Sequence, residues 1–362
     1  MDIQLKHEAL SLFFPVDALC SSQESRTESV VPDKMPDIGY ILDTDTSVYL
    51  RRKSTGLGKV FLEGEIHAVI LYRGEDDTLQ KLQIQMPCSY TLEAAQVQEE
   101  DRLRASLTLI RGEGRMINPR KVSVLVETKA CAELYRPETV ELTSDADGED
   151  LEKQIQELSI PYIASVESKS FVVSEEFSLS SSAPAVKEIL GFGTASAVSD
   201  QRSLGGKVIV QGSVRFEFRY LGEEDELCQE RFSADFSQLM DIPDGVEGSA
   251  EILLTPEVAY VEVLPGGSGK DVIHLELHLT AQMLYHGVKT LSLMTDAYSL
   301  HHTCAVDQKD LVVRKPGNRT FIRGSAQTLL ELPEPAEESL FGYVNFSQPE
   351  VIDGKIRLPV QA

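Results

Sequence analysis

Apolar and polar residues alternate along two long stretches of this chain. In the first, Val60, Leu62, Ile66, Ala68, Ile70 and Tyr72 fall on one side of an extended backbone, with Glu63, Glu65 and His67 on the other. In the second, Val208, Val210, Val214, Phe216, Phe218 and Tyr220 point one way, and Gln211, Ser213, Arg215, Glu217 and Arg219 point to solvent. A period of two over this length predicts strands. Gly64 and Gly212 each interrupt the inward stripe, where glycine marks a bulge or a close backbone approach. Acidic turns follow at 74–77 and 222–225, and each leads into a second apolar stripe: Leu82, Ile84 and Met86, then Phe232, Ala234 and Phe236.

The two stretches are copies of each other, 148 positions apart (208 minus 60). Pro36 meets Pro184, Gly64 meets Gly212, Tyr72 meets Tyr220 and Gly74 meets Gly222. From the second stripe onward the best alignment is two positions longer, which predicts two extra residues in the hairpin loop of the second copy. Gly354, Lys355 and Ile356 echo Gly58, Lys59 and Val60, so a third copy starts near the end of the chain. Helical spacing is weak. Residues 149–158, with Leu151, Ile155 and Leu158, predict one short helix after a polar linker at 143–148.

The fold class is therefore all-β: tandem duplicated β-sandwich or distorted β-barrel domains with a partial third repeat. The expected organisation is a first repeat over 1–140, an acidic linker with a short helix over 141–160, a second repeat over 161–290, and a connection with the incomplete third repeat over 291–362. Duplication of a domain-sized unit favours binding or assembly over a single active site.

Charge and cysteines narrow the class of function. Over 362 residues, 34 basic and 58 acidic side chains give a net charge of −24, which argues against nucleic acid or an anionic membrane as partner. No apolar run reaches the ~20 residues of a membrane helix, and the first residues lack the pattern of a signal peptide. Cysteines 20, 88, 131, 228 and 304 form no CxxC pair and none recurs between copies. Free thiols in a reducing, cytoplasmic compartment are the expectation.

Candidate chemistry is sparse. Gly191, Gly193 and Ser196 imitate a dinucleotide fingerprint without its third glycine or a βαβ setting. Residues 145–150 are acidic but lack the glycine and glutamate of a calcium loop. His274, Glu276 and His278 share one face of a strand, about 7 Å apart in steps of two; with no counterpart in the first copy, they read as a polar face. No catalytic residue, cofactor or metal is assigned. The tail residues Tyr343, Val344, Phe346, Ile352, Ile356 and Leu358 have strand character without the partner strands of a full repeat, and are the candidate docking segment.

Residues 32–42, 58–64, 69–72 and 118–122 (Asn118-Pro119-Arg120-Lys121-Val122) resemble the SPOCS domain of SipL-like proteins of endospore-forming Firmicutes, as do 171–176, Pro184, Ile189, Leu190 and 208–220. The resemblance implies a non-enzymatic, structural and protein-binding role in spore-envelope (coat and cortex) morphogenesis in the mother cell, at the forespore surface. Its partners would be spore morphogenetic or coat proteins, with self-association open. Such proteins often carry a LysM module, which is not visible here. The second copy departs from the Asn-Pro-Arg-Lys position. The alternative reading is a cell-envelope glycan-binding protein, in which tyrosines would replace the absent tryptophan.

Overall fold

A computed structural model describes residues 3–303 apart from 181 and 267–270, together with 305, 307 and backbone strands at 345–346, 350–352, 355–357 and 360–361. Residues 1–315 cluster as one compact unit and 316–362 as a second.

The first unit is all-β with three sheets and no closed barrel. In the first repeat β2 (Ile38–Gly56), β3 (Lys59–Gly74) and β4 (Leu79–Glu93) form an antiparallel sheet with β3 in the middle. In the second, β8 (Val186–Leu204), β9 (Lys207–Gly222) and β10 (Leu227–Asp241) do the same around β9. The inward stripes of both central strands are buried, as alternation requires. The β3–β4 and β9–β10 hairpins turn identically. The Gly74 and Gly222 amides donate to Thr78 O and Glu226 O at 2.9 Å. Asp77 (φ 65°) and Asp225 (φ 64°) take the left-handed bulge position.

Ile66 pairs with Met86 and Val214 with Ala234, so the offset of 148 holds through β10. The two extra residues expected in that loop are not there. The difference in length lies later, between β11 (Glu247–Pro265) and β12 (Asp271–Ser299): the bulges at Leu109/Arg111 and Pro256/Val258 are 147 apart (256 minus 109), whereas the partners of Leu109 and Pro256, Thr128 and Leu279, are 151 apart (279 minus 128).

The third sheet joins the repeats. Its order is β11-β12-β7-β1-β6-β5, with β1 Gln4–Val30, β5 Arg102–Asn118, β6 Lys121–Asp147 and β7 Leu151–Ser178. By repeat equivalence β1 matches β7, β6 matches β12 and β5 matches β11. The order therefore reads the same from both edges, about a central antiparallel pair, Phe13 opposite Ile163. Each three-stranded sheet packs on its own half of this sheet, giving two sandwich cores. Leu10, Ile160 and Leu291 fill a smaller core where the β1–β6 and β7–β12 ribbons run past the sandwiches.

Two expectations fail here. Residues 143–147 lie in β6 and Leu151–Leu158 in β7, so neither a linker nor a helix separates the repeats. Leu151 through Leu158 pair with Ser299 through Leu291 of β12, and this long partner strand overrides a short helical pattern. The free-thiol reading fails for one pair: Cys20 and Cys131 stand opposite each other on β1 and β6 and are disulfide-bonded. Their repeat-two counterparts, Ser168 and Gln282, also stand opposite each other but carry no thiols, so comparing copies hides the pair. Cys88 and Cys228 are free, and burial pushes the Cys88 thiol up to about 11. Cys304 lies outside the described residues.

In the second unit Asn345 and Phe346 pair with Gln361 and Val360, and Glu350 to Ile352 pair with Arg357 to Lys355.

Candidate functional site

The richest buried polar chemistry is the seam between the repeats. Gln282 on β12 is 1% exposed. Its Oε1 accepts from Ala105 N (2.9 Å), and its Nε2 donates to Ala105 O (2.6 Å) and Thr255 Oγ1 (2.6 Å). The carboxamide thus meets the edge of β5 as one more peptide group would. Lys53 on β2 donates to Gln282 Oε1, to Leu103 O (3.0 Å) and to Ser168 Oγ (3.4 Å).

Beside it, buried Arg104 pairs with Glu133 and Glu251, both at 2.9 Å. Burial opposes the charge of Arg104, but the two carboxylates hold the guanidinium firmly protonated. Tyr135, Val166 and Leu284 close this region with Phe13 and Ile163. Burial, and then Glu133, lift the Tyr135 phenol well above its usual range.

At a second contact Arg219 reaches Asp43 (2.7 Å) and Asp45 (2.6 Å). The alternation of β9 points Arg219 away from its own sandwich core, yet it is 4% exposed because the other repeat covers it. Gly191 faces this guanidinium: a Cβ there would lie 3.4 Å from Arg219 Nη2. Of the two glycines that imitate a dinucleotide fingerprint, Gly191 thus serves packing, while a Cβ at Gly193 would meet nothing within 4 Å. Leu71, Leu190 and Leu221 pack around the contact with Leu79 and Leu227. Lys81 donates to Ile189 O and pairs with Glu188 at 3.3 Å.

None of these polar bonds is duplicated. The counterpart of Gln282 is Cys131, that of Arg219 is Leu71, and those of Asp43 and Asp45 are Gly191 and Gly193. The two-fold arrangement of strands carries a chemically one-sided seam.

Burial pushes the Lys53 amine down to about 8 from 10.5, with Arg104 adding to the shift and Glu257 opposing it. Below pH 8 both folded and unfolded states carry the proton, and the cost of burying the charge is felt in full. Between the two values the unfolded state binds more protons, so stability rises with pH. Lys53→Met is expected to remove that rise, measured by urea denaturation from pH 7 to 10. An identical pH profile in the variant would show that Lys53 is not the titrating group.

The residues that define the repeat sit at equivalent points. Tyr72 and Tyr220 are fully buried, and their hydroxyls donate to Pro36 O (3.4 Å) and Pro184 O (3.3 Å). Gly64 and Gly212 occupy the middle strands. A Cβ at Gly64 would come 2.8 Å from Tyr49 O and 3.0 Å from Cys88 Sγ; at Gly212 it would come 2.3 Å from Ala197 O and 2.4 Å from Phe236 Cζ. Ala197 and Phe236 are the repeat equivalents of Tyr49 and Cys88. Gly74 and Gly222 open the two acidic turns.

Arg120 explains the Asn-Pro-Arg-Lys segment. Its Nη1 donates to Met35 O (2.8 Å) and Asp37 Oδ1 (2.9 Å), and its Nη2 to Val31 O (2.9 Å), tying the crossover from β1 to β2. On the outer face of β12, Glu276 pairs with His278, and His274 Nε2 stands 3.8 Å from the same carboxylate. Among the described residues no group of three His, Cys, Asp or Glu is placed to hold a metal ion, and no helix is long and apolar enough to cross a membrane. A groove of about 370 Å³ beside the ribbons is lined by Phe13, Pro137, Tyr162 and Pro243, among others, with no array of catalytic groups.

Of the tail residues, Phe346, Ile352 and Ile356 lie in short strands that pair within the tail, so for these the premise of missing partner strands does not hold. Tyr343, Val344 and Leu358 lie outside the described residues. The seam was not foreseen. Its one legible sign is the set of positions where the copies disagree in polarity, such as Leu71 against Arg219.

No curated protein and no solved structure matches the chain. Residues 37–112, which span β2, β3, β4 and most of β5, match the family model described as SipL, SPOCS domain, the family that the residues of both repeats resemble.

Proposed function

We infer that this chain is a non-enzymatic structural and protein-binding scaffold in spore-envelope morphogenesis, working in the mother cell by docking coat or cortex proteins. The observation that carries this reading is the match of residues 37–112 to the SipL, SPOCS domain model. The use of polar groups agrees with it. Arg104, Arg120, Arg219 and Gln282 are all spent on bonds within the chain, as suits a scaffold that presents surfaces rather than a reacting centre. The tail around Phe346 and Ile356 is a candidate docking segment.

Affinity capture with the full chain as bait, from sporulating and from vegetative cells, tests the function. Spore-envelope proteins enriched from sporulating cells alone are expected. Capture of the same proteins in both, or of none, contradicts the reading. Deleting residues 343–362 should lower recovery if the tail docks the partner; full recovery removes the tail from the proposal.

A further inference from the structure

The two hairpins that match so closely differ at their outer edges. Gly74 bonds Thr78 and Gly222 bonds Glu226. In an antiparallel ladder the pairs that exchange hydrogen bonds alternate with those that do not. The even-numbered residues of β4 and β10 therefore bond inward to β3 and β9, and the odd-numbered residues present N–H and C=O to the outside. In β4 one of these outward residues is Pro87, which has no N–H and interrupts the edge at its middle, a common guard against strand addition. Its register equivalent in β10 is Asp235, opposite Ser213 as Pro87 is opposite Glu65. No proline occurs in β10, and among the described residues no strand pairs with its outer edge. Lys169 caps Leu239 O (2.9 Å) at one end, leaving positions 229–237 open. Arg231, Ser233, Asp235 and Ser237 along that stretch are exposed.

We propose that the β10 edge pairs with the β10 edge of a second copy of this chain, antiparallel and centred on Ser233. Charge complementarity selects this occupant and this register. Centring on Ser233 sets Arg231 opposite Asp235 twice, once on each side of the axis. It also sets Gln229 opposite Ser237 and Phe232 opposite Ala234. A two-fold contact must be complementary to itself, and this segment is. Ser233, being odd-numbered, meets its own copy as a hydrogen-bonded pair with both amides and carbonyls aimed across the gap. The two three-stranded sheets become one of six strands. The net charge of −24 opposes association at low ionic strength, so the pairing strengthens when salt screens it.

This stands apart from capture of coat or cortex proteins: a monomeric chain would leave that reading intact. The test is the mass of the full chain by sedimentation across a dilution series at physiological salt. A concentration-dependent doubling of mass is expected. Asp235→Pro copies what the first repeat already tolerates at Pro87, and should abolish the doubling with the far-ultraviolet circular dichroism unchanged. Should that variant misfold, Arg231→Asp, which also gives up the surface pair of Arg231 with Glu217 (3.0 Å), should give a monomer, and Arg231→Asp combined with Asp235→Arg should restore the dimer. A wild-type monomer at every concentration overturns the proposal. So does a folded Asp235→Pro chain that dimerises like the wild type.

Discussion

Replacing Tyr220 with alanine should destabilise the chain by about 3 kcal/mol, at the low end of aromatic core deletions. Tyr72→Ala should cost about the same. Both rings are fully buried at the end of an inward stripe, and Phe218 stacks on Tyr220 with centroids 5.2 Å apart. The phenylalanine variants lose only the bond to Pro36 O or Pro184 O and should cost about 1 kcal/mol. Urea midpoints at constant slope read both effects. Burial also lifts both phenols above their ordinary value of 10. The folded state then holds protons that the unfolded state releases, so stability falls as pH rises past 10. This sets the upper limit of the window in which stability rises as Lys53 loses its proton. A Tyr220→Ala chain as stable as the wild type would remove the tyrosine from the core.

Gln282→Leu should cost about 3 kcal/mol, although leucine fills a similar volume. The change strands the N–H of Ala105 in a buried place at about 1–3 kcal/mol, leaves its C=O only the long 3.5 Å bond from Thr255 Oγ1, and takes an acceptor from Lys53. Because Lys53 and Gln282 share one network, Lys53→Met and Gln282→Leu combined should cost less than their sum. Full additivity, or a Gln282→Leu chain with an unchanged denaturation midpoint, would contradict the seam described here.

Much of the fold is legible in the chain because a half-buried strand must alternate. The stripes ending at Tyr72 and Tyr220, the mid-strand glycines and the acidic turns all survive in the structure. The same period of two sets the limit of that reading. Sliding β10 by two residues keeps every side chain on its face, so Met86 aligns with Phe236 by eye although its true counterpart is Ala234. The helix expected over Leu151–Leu158 fails for a related reason: the partner strand that holds those residues extended lies more than a hundred residues away. Cys20 and Cys131 are likewise brought together only by strand pairing. The seam is hardest to see. Arg219 looks like a solvated residue on an outward face, and only the packing of one repeat on the other buries it against Asp43 and Asp45.

The central claim is that both repeats are one fold with one hairpin register, and paired cysteines test it most directly. Asp235 stands opposite Ser213 at a pair that exchanges no hydrogen bonds with β9, the closer of the two antiparallel spacings. Mass mapping of the full chain after mild oxidation should find an intramolecular disulfide in the Ser213→Cys, Asp235→Cys variant, and none in Ser213→Cys, Ser237→Cys. The reverse outcome would mean that the second hairpin is two residues longer than the first and that the shared register is wrong.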